Sequence, residues 1–167
     1  MPHTPATLTP ELQARLGRVT ALVMDVDGVL SDGRIIYDEY GDELKFFDVQ
    51  DGAGLVIWHR MGLKSAIITA RKAKLIKRRA KELQIDLLIQ KALLKLPAYE
   101  KVRKHLRVSH EEVCAMGDDL MELPILRRVG LAVAVQNATS EVKAASHYIT
   151  GRSGGRGAVR EVVELIL

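Results

Sequence analysis

Short, almost continuous runs of apolar residues alternate with longer amphipathic stretches along most of this chain. Runs such as ALVM, AIIT and LAVAV lack the polar–apolar alternation of a strand with one solvated face, which indicates strands covered on both faces. The stretches between them repeat apolar residues at helical spacing. The pattern therefore predicts an α/β fold in which a parallel sheet is flanked by helices.

The apolar runs predict six strands, at Ala21–Asp25, Ser65–Thr69, Leu87–Gln90, Val113–Met116, Leu131–Val135 and His147–Ile149. The amphipathic stretches predict helices at about Gly52–Met61, Lys72–Leu83, Leu96–Leu106, Leu120–Arg127, Ser140–Ala145 and Ala158–Ile166. We expect residues 1–18 to form an N-terminal arm with a short helix from Pro10 to Leu16, and residues 19–167 to form one domain.

One segment interrupts this alternation. Two β-prone runs around Tyr40-Gly41-Asp42 predict a β-hairpin flap at about 33–48, directly after the first strand and over the carboxyl edge of the sheet. A monomer could not fully bury the apolar residues of so short a segment, which indicates an interface, with packing on the parent domain as the alternative. These apolar residues are Ile35, Ile36, Leu44 and Phe46.

Composition narrows the class of protein. The 167 residues are 47% hydrophobic and 28% charged, which is typical of a globular domain. The single Cys114 excludes an internal disulfide and a cysteine-rich zinc site, so we expect a reducing, cytoplasmic location. The first residues lack the apolar core of a signal peptide, and no apolar run is long enough to span a bilayer. We therefore expect no membrane partner.

The net charge of +4 comes largely from the segment Arg71–Lys81. Apolar residues recur at helical spacing within it, so most of its basic side chains are expected on a solvated helix face. Such a cluster could also concentrate a small anionic substrate. Only 4% of the residues are aromatic and none interleaves with these charges, so we expect no nucleic-acid partner.

Acidic residues follow two of the predicted strands. Asp25 and Asp27 project to the same side of an extended chain, and two close carboxylates usually share a cation or a proton. Asp118 and Asp119 follow the strand VCAM, where oxygen ligands suit a hard cation such as Mg²⁺. Capping of the next turn or helix is the alternative for each pair.

Two further polar residues are expected at the same edge. Thr69 closes the second strand, where it could hold phosphate oxygens or cap a helix, and Lys95 precedes a helix. Because parallel strands end at one edge of a sheet, Thr69 and Lys95 should converge with Asp25 and Asp118. This set supplies a nucleophile, phosphate-binding groups and metal ligands, as aspartyl-phosphate chemistry requires.

The segments MDVDGVLSDG, ITAR and GDDLMELP, with Lys95, resemble the four motifs of the haloacid dehalogenase superfamily. Longer segments, including DVDGVLSDGRIIYDEYGDELKFFDVQDGAGL and GGRGAVREVVELIL, closely resemble the 3-deoxy-D-manno-octulosonate 8-phosphate (KDO 8-phosphate) phosphatases. The resemblance implies a Rossmann-like fold without a large cap. It also implies a Mg²⁺-dependent phosphatase that provides KDO for lipopolysaccharide synthesis.

The resemblance implies a role for each motif residue. Asp25 matches the nucleophile and Asp27 the general acid/base. Mg²⁺ would be held by Asp25, the backbone carbonyl of Asp27 and Asp118, with Asp119 in a supporting role. In the same way, Thr69 and Lys95 match the groups that hold the phosphoryl oxygens.

Substrate contacts and assembly follow from the same resemblance. We expect Arg71 and Arg156 to bind substrate, because a guanidinium can pair bidentately with a sugar-acid carboxylate. A flexible link is the alternative for the loop 154–157 that contains Arg156. The resemblance also implies the family's tetrameric assembly, in which each hairpin covers a neighbour's active site, so we expect a homotetramer.

The chain departs from the family pattern at four places. Ala70 replaces a glycine, and the segment before Lys95 lacks the usual Gly and Asp. Glu122 stands where the family has Asp, which makes the side chain one methylene longer. The sequence ends at Leu167, where relatives have a tail that can reach a neighbouring site, and we expect no contribution from such a tail.

Other functions stay open at this stage. Related phosphatases act on other sugar acids, such as 2-keto-3-deoxynononate 9-phosphate. A phosphoacceptor signalling domain also places acidic residues, Thr and Lys on a parallel sheet, and an inactive scaffold would keep the fold. Asp27 favours an enzyme, because a slow switch does not need acid/base catalysis. Asp51 could cap the first helix after the hairpin or face the substrate.

Overall fold

Eight strands occur in the computed structural model, which describes residues 8–167 of the chain. They are β1 (Ala21–Met24), β2 (Ile36–Tyr37), β3 (Glu43–Leu44), β4 (Lys64–Ile68), β5 (Leu87–Ile89), β6 (Val113–Gly117), β7 (Leu131–Ala134) and β8 (Tyr148–Ile149). Six of them form a parallel sheet in the order β5-β4-β1-β6-β7-β8, and β2 pairs with β3 in an antiparallel hairpin. The predicted α/β fold with a hairpin flap is therefore confirmed.

Seven α-helices accompany these strands in residues 8–167. They are α1 (Pro10–Leu16), α2 (Val49–Arg60), α3 (Lys74–Glu82), α4 (Lys95–Leu106), α5 (Leu123–Leu126), α6 (Ser140–Ala144) and α7 (Ala158–Ile166). The short helix α1 has its predicted bounds and buries Leu16 in the core. The predicted arm before α1 includes residues 1–7, which lie outside the described residues, and the division into arm and domain stays a prediction.

Both faces of the central strands are buried, as the continuous apolar runs predict. Every residue of β1, β6 and β7 is buried, and Cys114 lies among them in β6. Full burial of a side chain such as Leu22 contributes roughly 1.5–3 kcal/mol to the free energy of folding. Trp58 of α2 closes one face of the sheet, and its indole N–H donates to the Lys64 carbonyl at 2.7 Å. In the part of the chain that the structure describes, no helix is long and apolar enough to cross a membrane.

Several element boundaries differ from the prediction for identifiable reasons. Helix α2 begins before the predicted Gly52 because the Asp48 carboxylate caps it, accepting from the N–H of Gln50 at 2.6 Å. Strands β1 and β4 end one residue earlier than predicted, so Asp25 and Thr69 lie just beyond the strand ends. The predicted helix Leu120–Arg127 is a 3₁₀ turn at Leu120–Glu122 followed by α5.

Asp51 has neither of the two roles considered for it. Its carboxylate is buried in the first turn of α2 and accepts from the backbone N–H of Gly157 at 3.2 Å and of Arg160 at 2.8 Å. Those N–H groups begin α7, whose own N-cap residue is a glycine and offers no side chain. Asp51 therefore caps α7 from a neighbouring helix. Burial raises the pKa of this carboxyl, although its backbone hydrogen bonds act in the opposite direction.

The loop 151–157 packs tightly against the turn that follows β1. The N–H of Gly155 donates to the Val29 carbonyl at 2.8 Å, and Gly155 has a positive φ of +65°. A Cβ at Gly154 would lie 1.7 Å from the carbonyl oxygen of Gly28. The alternative prediction, that residues 154–157 form a flexible link, is therefore wrong.

We predict that Gly154→Ala lowers the free energy of unfolding by about 2–3 kcal/mol, because the added methyl overlaps the Gly28 backbone. Urea denaturation followed by circular dichroism measures this loss. Gly17→Ala is the matched control, since Gly17 has an ordinary φ of −66° and its added Cβ would approach the nearest atom only to 3.6 Å. Equal free energies of unfolding for the two variants would show that the loop accommodates the added methyl group without loss of stability.

Candidate active site

The sheet register brings the candidate residues to one edge. β1 pairs in register with β4 and with β6, so the three strands end almost level. Asp25, Thr69 and Asp118 are the first residues after these strands. Together with Lys95, at the first position of α4, they line a cleft of about 260 Å³. All four residues that the sequence analysis placed at this edge therefore meet in one cleft.

Thr69 does not have the alternative role of a helix cap, and both Thr69 and Lys95 are buried in the cleft. Helix α3 begins only at Lys74, with Ala73 as its N-cap residue, so Thr69 is not a helix cap. The Thr69 hydroxyl accepts from the N–H of Arg71 at 3.3 Å, and the side chain is buried at the base of the cleft. Lys95 is also buried, which a solvated surface lysine would not be.

The Lys95 ammonium connects the segments that follow β1 and β6. Its Nζ lies 2.9 Å from Oδ2 of Asp25 and also donates to the Glu122 carboxylate. Burial lowers the pKa of Lys95, but the charges of Asp25 and Glu122 outweigh burial and raise it overall. Lys95 is therefore charged at neutral pH and fixed beside Asp25.

Gly28 allows the turn after β1 to approach Asp118. It has a φ of +92°, and a Cβ at this position would lie 2.0 Å from Oδ2 of Asp118. No side chain fits there, and few residues other than glycine adopt this backbone conformation. The glycine therefore lets the Asp118 carboxylate lie directly over the turn that carries Asp27.

Three carboxylates form a candidate cation site. One oxygen from each of Asp25, Asp118 and Glu122 lies within 4.8 Å of the others. Within residues 8–167, Oδ1 of Asp25 and Oδ1 of Asp118 are buried and accept no hydrogen bond. Burial raises the pKa of Asp25 to about 6 and that of Asp118 to about 7. Unpaired, closely spaced carboxylate oxygens fit a hard divalent cation such as Mg²⁺.

Glu122 and Asp119 share a capping arrangement at the 3₁₀ turn. The Asp119 carboxylate accepts from the N–H of Leu120 at 2.7 Å, and Glu122 Oε2 accepts from the N–H of Asp119 at 3.0 Å. Asp119 therefore does what the capping alternative describes, and its side chain is not one of the three clustered carboxylates. Glu122 is not among the metal ligands expected from the sequence. Its spacing of four residues from Asp118 is the signal that places it beside the site.

The hairpin supplies charged residues that the sequence analysis missed. Lys45 follows β3, and its side chain is only 1% exposed. It forms ion pairs with Asp27 and with Glu43, the latter at 2.8 Å. Nothing in the sequence marks Lys45, because the contact depends on how the hairpin folds back over the sheet edge.

The two candidate substrate-binding arginines lie in different places. Arg71 lines the cleft, where its guanidinium contacts Glu43 at 3.0 Å and approaches Asp27 at 3.9 Å. Arg156 lines a separate groove beside Phe46, is 66% exposed, and lies 3.9 Å from Asp32. Of the two, Arg71 is therefore the one that faces the candidate nucleophile's cleft in a single chain.

Comparison with known proteins gives one consistent result. The family profile of haloacid dehalogenase-like hydrolases matches residues 63–162. The 3-deoxy-D-manno-octulosonate 8-phosphate phosphatase of Yersinia pestis is 44% identical over 153 residues, covering 92% of this chain and 82% of that protein. The phosphatase of the same name from Escherichia coli K12 is 41% identical over 160 residues, covering 96% of this chain and 85% of its own length.

Solved structures agree with the sequence comparisons. The 3-deoxy-D-manno-octulosonate 8-phosphate phosphatase of Moraxella catarrhalis, solved with a magnesium ion, a phosphate ion and KDO, superposes with a TM-score of 0.92 at 43% identity. The match covers 96% of this chain and 92% of that one. A haloacid dehalogenase superfamily hydrolase of subfamily III A from Legionella pneumophila also superposes with a TM-score of 0.92, at 42% identity, covering 94% of this chain and 86% of that one.

We predict that Mg²⁺ stabilises the protein more at pH 8 than at pH 5. With pKa values of about 6 and about 7, Asp25 and Asp118 hold protons at pH 5 and are ionised at pH 8, so the cation must displace protons only at the lower pH. At a saturating concentration the thermal midpoint should rise by about 5 °C at pH 8 and by much less at pH 5. Differential scanning fluorimetry measures both shifts.

Asp118→Asn should lose the shift at pH 8, whereas Asp42→Asn, an exposed residue of the hairpin turn, should retain it. A shift of the same size at both pH values would contradict a cation site built from these carboxyls.

Proposed function

We propose a reaction from the premise that this chain belongs to the haloacid dehalogenase-like hydrolases and, among them, to the KDO 8-phosphate phosphatase family. The proposed reaction is the hydrolysis of KDO 8-phosphate to KDO and inorganic phosphate. The observation that carries this proposal is the joint placement of Asp25, Lys95 and Asp118 in one cleft. A surface scaffold would not need two unpaired carboxylate oxygens beside a buried ammonium.

Asp25 is the proposed nucleophile. Its Oδ2 is held by Lys95, while Oδ1 is buried and free of hydrogen bonds within the described residues. Attack by Oδ1 forms an O–P bond and breaks the ester P–O bond, which gives an aspartyl-phosphate and releases the sugar alkoxide. Water then attacks phosphorus, which regenerates Asp25 and frees phosphate. Fixing one oxygen on Lys95 orients the other toward the cleft.

Asp27 is the proposed general acid/base. It follows Asp25 by two residues on the turn after β1 and lines the same cleft. In the first step it gives a proton to the leaving oxygen, and in the second it takes one from the attacking water. Thr69 and Lys95 would hold the phosphoryl oxygens, and the charge of Lys95 offsets the charge that develops on them.

Magnesium is the proposed cofactor. Asp25, Asp118 and the backbone carbonyl of Asp27 would hold it, with Asp119 supporting the loop and Glu122 as the third clustered carboxylate. When bound, Mg²⁺ neutralises negative charge on the nucleophile and on the transferring phosphoryl group, so that the two can approach. The relative from Moraxella catarrhalis, solved with magnesium, phosphate and KDO, supports this choice of metal and substrate.

Arg71 and Arg156 are the proposed substrate-binding residues. Arg71 is placed to meet the sugar acid at the mouth of its own chain's cleft. Arg156 faces outward from a loop beside the hairpin base, so a contact with substrate would require an assembly that brings another chain to that face.

We also propose a homotetramer. The hairpin and the start of α2 leave apolar side chains with exposed fractions from 47% to 84%, which is unfavourable in water. These residues are Ile35, Tyr37, Tyr40, Leu44, Phe46 and Val49. Their position beside the cleft favours an assembly in which hairpins meet near the active sites.

The proposed activity is tested by phosphate release from a panel of sugar phosphates with Mg²⁺ and with EDTA. We expect metal-dependent release that favours KDO 8-phosphate over 2-keto-3-deoxynononate 9-phosphate and simple hexose phosphates. Asp25→Asn should abolish turnover while leaving the circular dichroism spectrum nearly unchanged, because it removes the nucleophile and preserves its shape.

Each alternative predicts a different result. Preference for another ester would retain the chemistry and change the substrate. If the folded protein released no phosphate from any ester, a phosphoacceptor or scaffold function would replace the proposal. Turnover by Asp25→Asn would contradict a covalent step at this residue.

The assembly is tested with the double variant Leu44→Lys, Phe46→Lys. Because the charges would have to be buried in a hairpin interface, we expect the mass from light scattering to fall from about four times the 18.5 kDa chain toward that of one chain. Met61→Lys is the control, because this exposed residue lies at the opposite end of α2 from the hairpin. An unchanged mass in the double variant would place the interface elsewhere.

A further inference from the structure

Lys45 is a buried ammonium that the proposed chemistry does not use. Its side chain is 1% exposed, although it belongs to a hairpin whose neighbouring residues Leu44 and Phe46 are largely in solvent. Burial of a lysine is costly unless its charge is paired. Here the charge is paired twice, with Asp27 on the turn after β1 and with Glu43 on the hairpin itself.

A second cation completes the arrangement. The Arg71 guanidinium donates to Glu43 at 3.0 Å and lies 3.9 Å from the second carboxylate oxygen of Asp27. Two cations and two carboxylates therefore alternate across the mouth of the cleft. Burial would raise the pKa of Glu43, but Lys45 and Arg71 lower it overall, so Glu43 is ionised at neutral pH.

The two buried lysines of the site serve different carboxylates. Lys95 contacts Asp25 and Glu122, which belong to the candidate nucleophile and cation cluster. Lys45 contacts Asp27, whose carboxylate is not one of the three clustered carboxylates. The position of the Asp27 carboxyl group is therefore set by the hairpin of its own chain.

We infer that Lys45 is a positioning residue: it donates to Oδ1 of Asp27 and so fixes this carboxyl group, while Oδ2, the oxygen that Lys45 does not contact, carries the proton for the leaving oxygen, and Glu43 fixes Lys45 in turn. This inference rests on the proposed function, in which Asp27 protonates the leaving oxygen. The contacts of the Lys45 ammonium are with Asp27 and Glu43 and not with the proposed nucleophile Asp25. Its loss should therefore slow only the cleavage of esters whose leaving group needs a proton.

That dependence on the leaving group provides the test. A sugar alkoxide is a poor leaving group and requires protonation, whereas 4-nitrophenolate leaves without it. The quantity to compare is kcat/KM, because it reports the steps up to and including cleavage of the ester bond and not the later hydrolysis of the aspartyl-phosphate. The two substrates are KDO 8-phosphate and 4-nitrophenyl phosphate, each with saturating Mg²⁺.

Lys45→Met keeps the length of the side chain and removes its charge. We expect kcat/KM for KDO 8-phosphate to fall by about 10- to 100-fold, within the range of general acid catalysis, and that for 4-nitrophenyl phosphate by less than about threefold. The inhibition constant of inorganic phosphate should stay within about twofold of the wild-type value, because phosphate binding is unaffected. Lys45→Arg should recover part of the lost rate, and Lys101→Met, at an exposed position of α4, should behave as wild type.

Two results would overturn the inference. An equal loss of kcat/KM for both esters, with weaker inhibition by phosphate, would make Lys45 a phosphate-binding residue. Unchanged kinetics with a lower thermal midpoint would make it only an anchor for the hairpin. If Lys45→Met fails to fold, Glu43→Gln can replace it, because it keeps the Lys45 ammonium and removes one of its two ion pairs. The same leaving-group dependence is then expected, with a smaller loss of kcat/KM. Wild-type protein that cleaves neither ester would refute the proposed function itself, independently of the variants.

Discussion

The site depends on one electrostatic constraint, the crowding of three carboxylates at the edge of an apolar sheet. Asp25, Asp118 and Glu122 approach within 4.8 Å, and burial together with this crowding raises the pKa of Asp118 to about 7. Lys95 offsets part of the repulsion by contacting two of the three. Breaking a buried ion pair of this kind typically costs about 3–5 kcal/mol. The same side chain therefore stabilises the sheet edge and prepares it for an anionic substrate.

The crowding of these carboxylates also requires a close approach of the surrounding backbone. Asp118 can lie over the turn after β1 only because Gly28 has no side chain, and Gly154 in turn packs on the carbonyl of Gly28. Asp27, which also lines the cleft, pairs with a different ammonium, that of Lys45. Lys95 thus pairs with Asp25, the proposed nucleophile, and Lys45 pairs with Asp27, the proposed general acid/base.

Much of this arrangement could be predicted from the sequence, because it depends on local pattern. Apolar runs without alternation identify buried parallel strands, and strand ends on one edge bring Asp25, Thr69 and Asp118 together. The contacts that were not predicted depend on how distant segments meet. Lys45 reaches Asp27 only through the fold of an exposed hairpin with two-residue strands. Asp51 caps a helix more than a hundred positions away, and no local rule points to such a partner.

The interlock between the turn at Gly28 and the loop at Gly154 has a consequence for biosynthesis. The turn that carries the acidic pair packs against the loop 151–157, which is synthesised more than a hundred residues later. On the ribosome, the early strands can form while this turn still lacks its partner. The backbone contact between Gly28 and Gly154 can therefore form only after the loop 151–157 has emerged, and α7 can dock on Asp51 only after that. An unfinished chain thus carries the motif residues without the arranged site.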